Sequence, residues 1–383
     1  MRRIVHLTAS PFFGGPERQM LELARTFRAE NRDIESLFAS FAENGNAKPF
    51  LDETQNAGFD SYMLQNDMPH LWKASKELAQ FFKDKKIDLA LLHGHKARMV
   101  GWWATRKVGI PVIGVSRGWT TENWKIAVYT KIDKWMHRRM DHVVCVSQGQ
   151  ADKVLRSGTP KERVSVIRNS IRTERFDGPS EPAYRTKLES LFKTPPKFIL
   201  GDAGRLSPEK GFDILINSVA KLIRAGFSVG LVIFGEGFLL EPLKKQAEEL
   251  GIGEFVVFPG FTKELDRFMP FFDVFVQSSH TEGLPNVLLE AMAARTAVVA
   301  TEVGGTNEVV LEGTTGFMVP PNDSEKLADA IQKVLENDSL RKSMGNTGRE
   351  RVQQYFTFES QAAAYWELFQ KINFLRKVSR NTG

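Results

Sequence analysis

The chain has 383 residues, 42% hydrophobic and 26% charged, with a formal net charge of +6 at pH 7. That is a globular composition, and the length exceeds one ordinary core while suiting two domains. No uninterrupted apolar run reaches about 18 to 20 residues, which argues against a transmembrane helix.

The opening MRRIVHLTASPFFGG is basic and then apolar, like a secretion leader. Its apolar run is too short and enters a glycine turn, so Ile4–Thr8 reads as a first strand. Gly14-Gly15-Pro16 is a turn, and Glu17–Glu30 has helical spacing through Met20, Leu21, Leu23, Ala24 and Phe27. Leu89–Leu92, Val112–Val115 and Val143–Val146 are further short buried strands, separated by helix-length segments. Alternation of this kind implies a mostly parallel sheet covered on both faces. The pattern weakens between Asn169 and Lys197, where Gly178 and four prolines fall, and the domain boundary is placed there. This gives a first domain at 1–175, a linker at 176–196 and a second domain at 197–357. Strands Phe198–Ala203, Val229–Phe234, Phe255–Phe258, Val274–Gln277 and Ala297–Thr301 are expected in the second domain. Phe358–Lys377 is a long helix pattern with no strand after it, so residues 358–383 can pack back on the first domain. The chain thus reads as two α/β domains in tandem. Such sheets bind ligands at the carboxyl ends of their strands, and two of them face to face make a cleft.

The strongest chemical signal is His280-Thr281-Glu282-Gly283-Leu284-Pro285-Asn286, leading into an apolar run from Val287. Leu284, Pro285 and Asn286 sit near a helix start, where free N–H groups and the dipole favour an anion. Glu282 and Glu290 lie about two helical turns apart and can point to one side. A carboxylate can accept two hydrogen bonds from a vicinal diol; two such acids can equally be an N-terminal helix charge and a solvated glutamate. Arg205 and Lys210 follow a strand, near a helix start opened by Ser207 and Pro208. They suit a diphosphate, whose leaving group gains charge, or are surface cations on a capped helix. Gly14-Gly15 can bring backbone N–H groups to a phosphate, or form an ordinary tight turn. In His93-Gly94-His95-Lys96, His95 can move a proton or bind a phosphate, or be a satisfied residue at a strand end. No Cys, Asp or Glu cluster accompanies these histidines, so a metal is not indicated.

The spacing Glu282-x7-Glu290 inside EGLPNVLLEAMAA resembles the E-x7-E element of the retaining GT-B glycosyltransferases, family 4 in particular. Ala297–Thr301, Glu302–Glu308, Gly313–Pro320 and Gly204–Gly211 resemble the same family, with the likeness dense across about 198–330. The resemblance implies two Rossmann-like α/β/α domains facing across a cleft. It implies an enzyme, of hexosyl-transfer type, moving a sugar from a UDP- or GDP-sugar to a glycan, lipid-linked or cell-surface polysaccharide acceptor. Retention of anomeric configuration is implied by the resemblance alone. Glu290 would hold the ribose diol. Arg205, Lys210 and the N–H groups after Glu282 would neutralise the diphosphate, in a donor-binding turn made of Gly283, Leu284, Pro285 and Asn286. Glu282 would orient the sugar, and Gly14 and Gly15 would approach the donor phosphates or the acceptor. Glu17, His95 and Arg117 would lie on the acceptor side. The catalytic set expected is Glu282, His95, Arg205 and Lys210. Arg117 departs from the family, which often has histidine there; arginine stays charged, so it is expected to bind and not to abstract a proton. No D-x-D occurs, and neither a metal nor another cofactor is expected.

The charge is uneven: residues 1–176 hold 29 Lys+Arg and 19 Asp+Glu, a net of +10, and the remainder a net of −4. A basic half favours an anionic partner, or is a solvated surface without one. Trp102, Trp103, Trp119, Trp124 and Trp135 crowd the same half beside Lys125, Lys131, Lys134, Arg138 and Arg139. These helices either pack into the core or lie against an anionic membrane. No nucleic-acid signature is present. The single cysteine, Cys145, has no internal disulfide partner, which fits a cytoplasmic location. Two rivals share the plan: a nucleotide-sugar epimerase and an inactive nucleotide-sugar-binding protein.

Overall fold

The structure is a computed structural model that describes residues 2–10, 13–119, 124–178 and 181–380, with backbone alone for 124–129 and 373–380. The chain divides into two compact units, Met1–Asn169 with Phe358–Gly383, and Ser170–Thr357.

The first unit is built on seven parallel strands: β1 (Arg2–Thr8), β2 (Ile34–Ser40), β3 (Ser61–Met63), β4 (Leu89–His93), β5 (Val112–Ser116), β6 (His142–Cys145) and β7 (Val164–Val166). Their order is β3-β2-β1-β4-β5-β6-β7. Inner strands such as β4 and β5 are buried at every residue, because helical crossovers cover both faces of a parallel sheet. The outer strands β3 and β7 are only half-buried. One face packs Val5, Leu7 and Leu92 against helices Leu71–Asp84 and His95–Val108. The other packs Ile4, Leu91 and Ile113 against helix Gly15–Ala29 and the last helix, Phe358–Arg380. Phe27 and Phe369 meet there at 6.0 Å between centroids. Tyr365, Leu368, Phe369 and Ile372 are buried in this contact, each contributing about 1.5–3 kcal/mol.

The second unit has six strands, all parallel: β8 (Phe198–Ala203), β9 (Val229–Phe234), β10 (Val256–Gly260), β11 (Val274–Gln277), β12 (Val298–Thr301) and β13 (Gly316–Val319), in the order β10-β9-β8-β11-β12-β13. Leu200, Leu231 and Val276 pack against helices Phe212–Arg224 and Ser324–Glu336. The stretch 176–196 carries a helix of its own, Pro182–Glu189, whose Tyr184 and Leu188 are buried. Ser207 and Pro208 do not open an α-helix: Pro208–Lys210 is a single 3-10 turn, and the helix proper begins at Phe212.

Each sheet reverses its winding direction once. The chain lays β1, β2 and β3 outward, then returns to place β4 on the other side of β1. It does the same with β8, β9, β10 and β11. The loops after β1 and β4, and those after β8 and β11, therefore diverge and leave a crevice, the usual ligand position in an open α/β sheet.

Candidate active site

In the second unit the crevice is closed by Lys210. Its Nζ donates to Glu282 Oε1 at 2.7 Å, and both side chains are mostly buried, with 23% and 11% exposed. Glu282 Oε1 also accepts from Gln277 Nε2 at 3.0 Å and Ser279 Oγ at 2.7 Å. Burial works to lower the Lys210 pKa, but the Glu282 carboxylate outweighs it and raises it, so the ammonium stays charged. The backbone locks the two loops together: His280 N–H donates to Glu209 O at 2.8 Å, and Ser278 Oγ to Lys210 O at 3.1 Å. Gly211, at φ +61°, makes this approach, since a Cβ there would collide with the Ser278 carbonyl oxygen. Gly304, at φ +54°, brings the loop after β12 against the Glu282 carbonyl oxygen in the same way.

Arg205 lies at the outer edge of this site. Its guanidinium, 59% exposed, donates through Nη2 to Glu209 Oε1 at 2.6 Å. Both cations expected to meet a diphosphate are thus already paired with carboxylates. Gly283, Leu284 and Pro285 form the turn before helix Asn286–Ala293. Glu290 is half-buried within that helix. Asp202, at the end of β8, is buried, and its carboxyl is pushed well above the usual range by burial. Four buried polar atoms in these loops have no hydrogen-bond partner among the described residues: Glu209 Oε2, Gln277 Oε1, His280 Nδ1 and Asn286 Oδ1. Such atoms are uncommon in a folded interior.

In the first unit, Gly14 and Glu17 meet. Gly14 N–H donates to Glu17 Oε2 at 3.0 Å, so the buried acid caps its own helix. Gly14 has φ −113°, which any residue can adopt. His95 and Arg117 enter two separate networks. Arg117 turns inward: Nη1 donates to Asn169 Oδ1 at 3.3 Å, and Nη2 lies 3.4 Å from Nδ1 of buried His93. Behind them His93 Nε2 and His6 Nδ1 are 3.4 Å apart. His6, His93, Arg117, Asn169, Gln361 and Tyr365 line a small cavity. Arg117 Nε is buried without a partner, and no carboxylate bonds this guanidinium among the described contacts. Burial lowers its pKa, opposed by Tyr365 and Glu17 nearby. Burial and Arg117 together lower His6 to about 3, so its ring is neutral. His95 instead points its Nδ1 at buried Asp133, 3.1 Å away. Lys96, next in the motif, is tied to Glu43 and Asp67.

The tryptophans divide between core and surface. Trp102 and Trp119 pack on the core, whereas Trp72 and Trp135 are 56% and 45% exposed. Lys107 Nζ stands 3.9 Å over the Trp72 ring and Arg139 4.6 Å over Trp135. The side chains of Trp124 and Lys125 lie outside the described residues. Among the described residues no helix is long and apolar enough to cross a membrane. Among them, too, no group of three His, Cys, Asp or Glu side chains could hold a metal ion.

Two family models match the chain: Glycosyltransferase Family 4 over residues 13–175 and Glycosyl transferases group 1 over 185–351. The lipopolysaccharide core biosynthesis glycosyltransferase LpsE of Rhizobium meliloti (strain 1021) is 34% identical over 231 residues, 60% of this chain and 64% of LpsE. The capsular polysaccharide biosynthesis glycosyltransferase CapM of Staphylococcus aureus is 26% identical over 326 residues, 78% of this chain and 84% of CapM. Anabaena Alr3699/HepE, crystallised in complex with UDP-glucose, superposes with a TM-score of 0.85 at 22% identity, over 97% of this chain and 100% of HepE. That likeness is one of fold.

Proposed function

Since the chain belongs to family 4 of the GT-B glycosyltransferases, we propose that it transfers a sugar from a nucleoside-diphosphate donor to a hydroxyl of a growing cell-surface glycan. The observation that carries this reading is the Lys210–Glu282 pair at the winding reversal of the second sheet, beside a helix start. The N–H groups at the start of helix Asn286–Ala293 and the Lys210 ammonium take the diphosphate, and negative charge growing on the leaving oxygen strengthens both. Exposed Arg205 leaves Glu209 for the outer phosphate. Glu290 holds the ribose diol, and Glu282, steadied by Gln277 and Ser279, orients the sugar. The donor is a UDP- or GDP-sugar; UDP-glucose is what HepE was crystallised with. LpsE and CapM are named for lipopolysaccharide and capsule synthesis, which supports a glycan or lipid-linked acceptor. Transfer proceeds with retention. The acceptor is met by the first unit, at His95 and Arg117.

A donor panel, scored by nucleoside-diphosphate release with and without acceptors, tests the reading. Acceptor-dependent release with one donor is expected, falling about 100-fold or more in Lys210→Ala. Full activity in that variant would remove Lys210 from the mechanism. Release of an isomerised donor without acceptor would make the protein an epimerase, and binding without turnover would make it inactive.

We also propose that the face carrying Trp72, Trp135, Lys107 and Arg139 rests on an anionic membrane, since tryptophan rings beside cations suit that interface. Flotation with anionic liposomes at low salt should carry the protein upward; a wholly unbound fraction would end this part.

A further inference from the structure

Asp133 sits in helix Trp124–His137 and has no role in the reading above. Its carboxylate is buried, and donors from three side chains converge on it. Arg98 gives Nε to Oδ1 at 2.5 Å and Nη2 to Oδ2 at 2.8 Å. Trp119 Nε1 donates to Oδ2 at 2.6 Å, and His95 Nδ1 lies 3.1 Å from Oδ1. His137 Nδ1 is nearby, 3.5 Å from Oδ2 and 2.7 Å from the Asp133 backbone oxygen. Burial alone would raise the Asp133 pKa, but Arg98 and the histidines take it far below the carboxylate range. The group is therefore an anion at neutral pH, and an ionised carboxylate only accepts hydrogen bonds.

The tautomer of His95 follows. The nitrogen facing Asp133 must carry the ring proton, so neutral His95 keeps its lone pair on Nε2. The imidazole is 42% exposed, at the first residue of the helix after β4. Gly94, at φ +90°, turns β4 directly into that helix. Trp119 belongs to the segment after β5, and Arg98 also donates Nη1 to Val115 O within β5 at 2.7 Å. One buried charge thus fixes both loops on which His95 and Arg117 stand.

We propose that Asp133 is a positioning residue for the acceptor: it locks His95 as the Nδ1–H tautomer, so that Nε2 accepts the hydrogen bond of the acceptor hydroxyl. The kinetic part rests on the proposed acceptor role of the first unit; the tautomer does not. Neutralising Arg98 is the merely structural alternative for Asp133, and it predicts no effect on the His95 ring.

The test uses the full chain labelled with 15N-histidine. Long-range 1H–15N spectra report the tautomer, and His95→Asn identifies the resonance. His95 should appear as Nδ1–H. In Arg98→Met/Asp133→Leu, which replaces the buried pair by apolar groups of similar size, it should shift toward Nε2–H, the form free imidazole prefers. Replacing both partners avoids stranding a buried charge. In the same double variant the acceptor KM should rise about tenfold, the loss of one hydrogen bond, with donor hydrolysis unchanged. His95→Asn, which keeps a donor toward Asp133 but lacks Nε2, should raise the acceptor KM by a similar factor. An Nε2–H tautomer in the unaltered protein, or a tautomer indifferent to the double variant, would overturn the inference. A protein that transfers no sugar at all would refute the proposed function and leave the tautomer result standing.

Discussion

Mild acid should unfold the first unit before the second. The first unit buries four imidazoles in neutral form. Burial lowers His6 to about 3, helped by Arg117. Burial lowers His137 to about 4, helped by Arg98 against the pull of Asp133. Burial lowers His142 to about 4 beside Lys371, and His93 falls well below its ordinary value, chiefly by burial and Arg117. An unfolded histidine titrates near 6.5. Between there and the folded value the unfolded chain binds a proton that the fold refuses, so stability falls as pH falls. At pH 5 each imidazole costs about 2 kcal/mol relative to neutral pH. Four of them approach the whole stability of a domain, about 5–15 kcal/mol. Asp133 titrates in the opposite sense: its depressed pKa adds stability above the unfolded carboxyl value, lost only below about pH 4. The second unit has one histidine, His280, and it is not buried. All seven tryptophans fall in the first unit, so their fluorescence reports that unit alone, whereas far-ultraviolet circular dichroism reports both. Urea titrations at pH 7.5 and 5 should show the fluorescence midpoint dropping, with a later dichroism transition left behind. His142→Asn can retain a hydrogen bond to Ser165 without a titrating ring, and should recover about 2 kcal/mol of the acid loss. Coincident transitions at both pH values, or a variant as acid-sensitive as the parent, would refute the reasoning.

Three further outcomes are expected. Arg117→Met replaces a half-buried cation, whose Nε is buried without a partner, by an apolar side chain of similar length; thermal stability should hold or rise while acceptor KM increases, and unchanged KM would remove Arg117 from the acceptor side. Gly304→Ala places a methyl group against the Glu282 carbonyl oxygen at a positive φ, so donor turnover should fall more than about tenfold, in excess of any change in melting temperature. Glu290→Gln loses a charged acceptor for the ribose diol, and donor KM should rise about tenfold; an unaltered KM would contradict its role.

Strands with continuous apolar runs were legible from the sequence: VGLVIF in β9 and VFVQ in β11 have the bounds that patterning gives. β2, β3, β7 and β13 escaped for physical reasons. IESLFAS breaks its apolar run with Glu35 and Ser36 yet is nearly all buried, because the sheet covers it on both sides. β3 and β7 are three residues long and half-exposed, and β13 is short and opens on Gly316. At the site, Lys210 and Glu282 were each marked by motif, but a pairing across 72 positions is set by strand order and not by spacing. Asp133 had no local mark at all. It is a lone acid in KIDKWMH, and its partners arrive from Arg98, 35 positions away, and from a neighbouring loop. His6 carries no local mark either: the ring that stacks on it, His93, comes from 87 positions away, and Arg117 reaches His93 from yet another loop.

The last helix has a consequence for how the chain is made. Because Phe358–Arg380 completes the sheet covering of the first unit, the second unit is an insertion within the first. Emerging from the ribosome, the insert owns all its strands before its host owns its final helix. The host must wait, with Phe27 and Leu91 uncovered, until the whole second unit has been made. A stop codon near 357 would therefore spare the later-encoded lobe and cripple the earlier one.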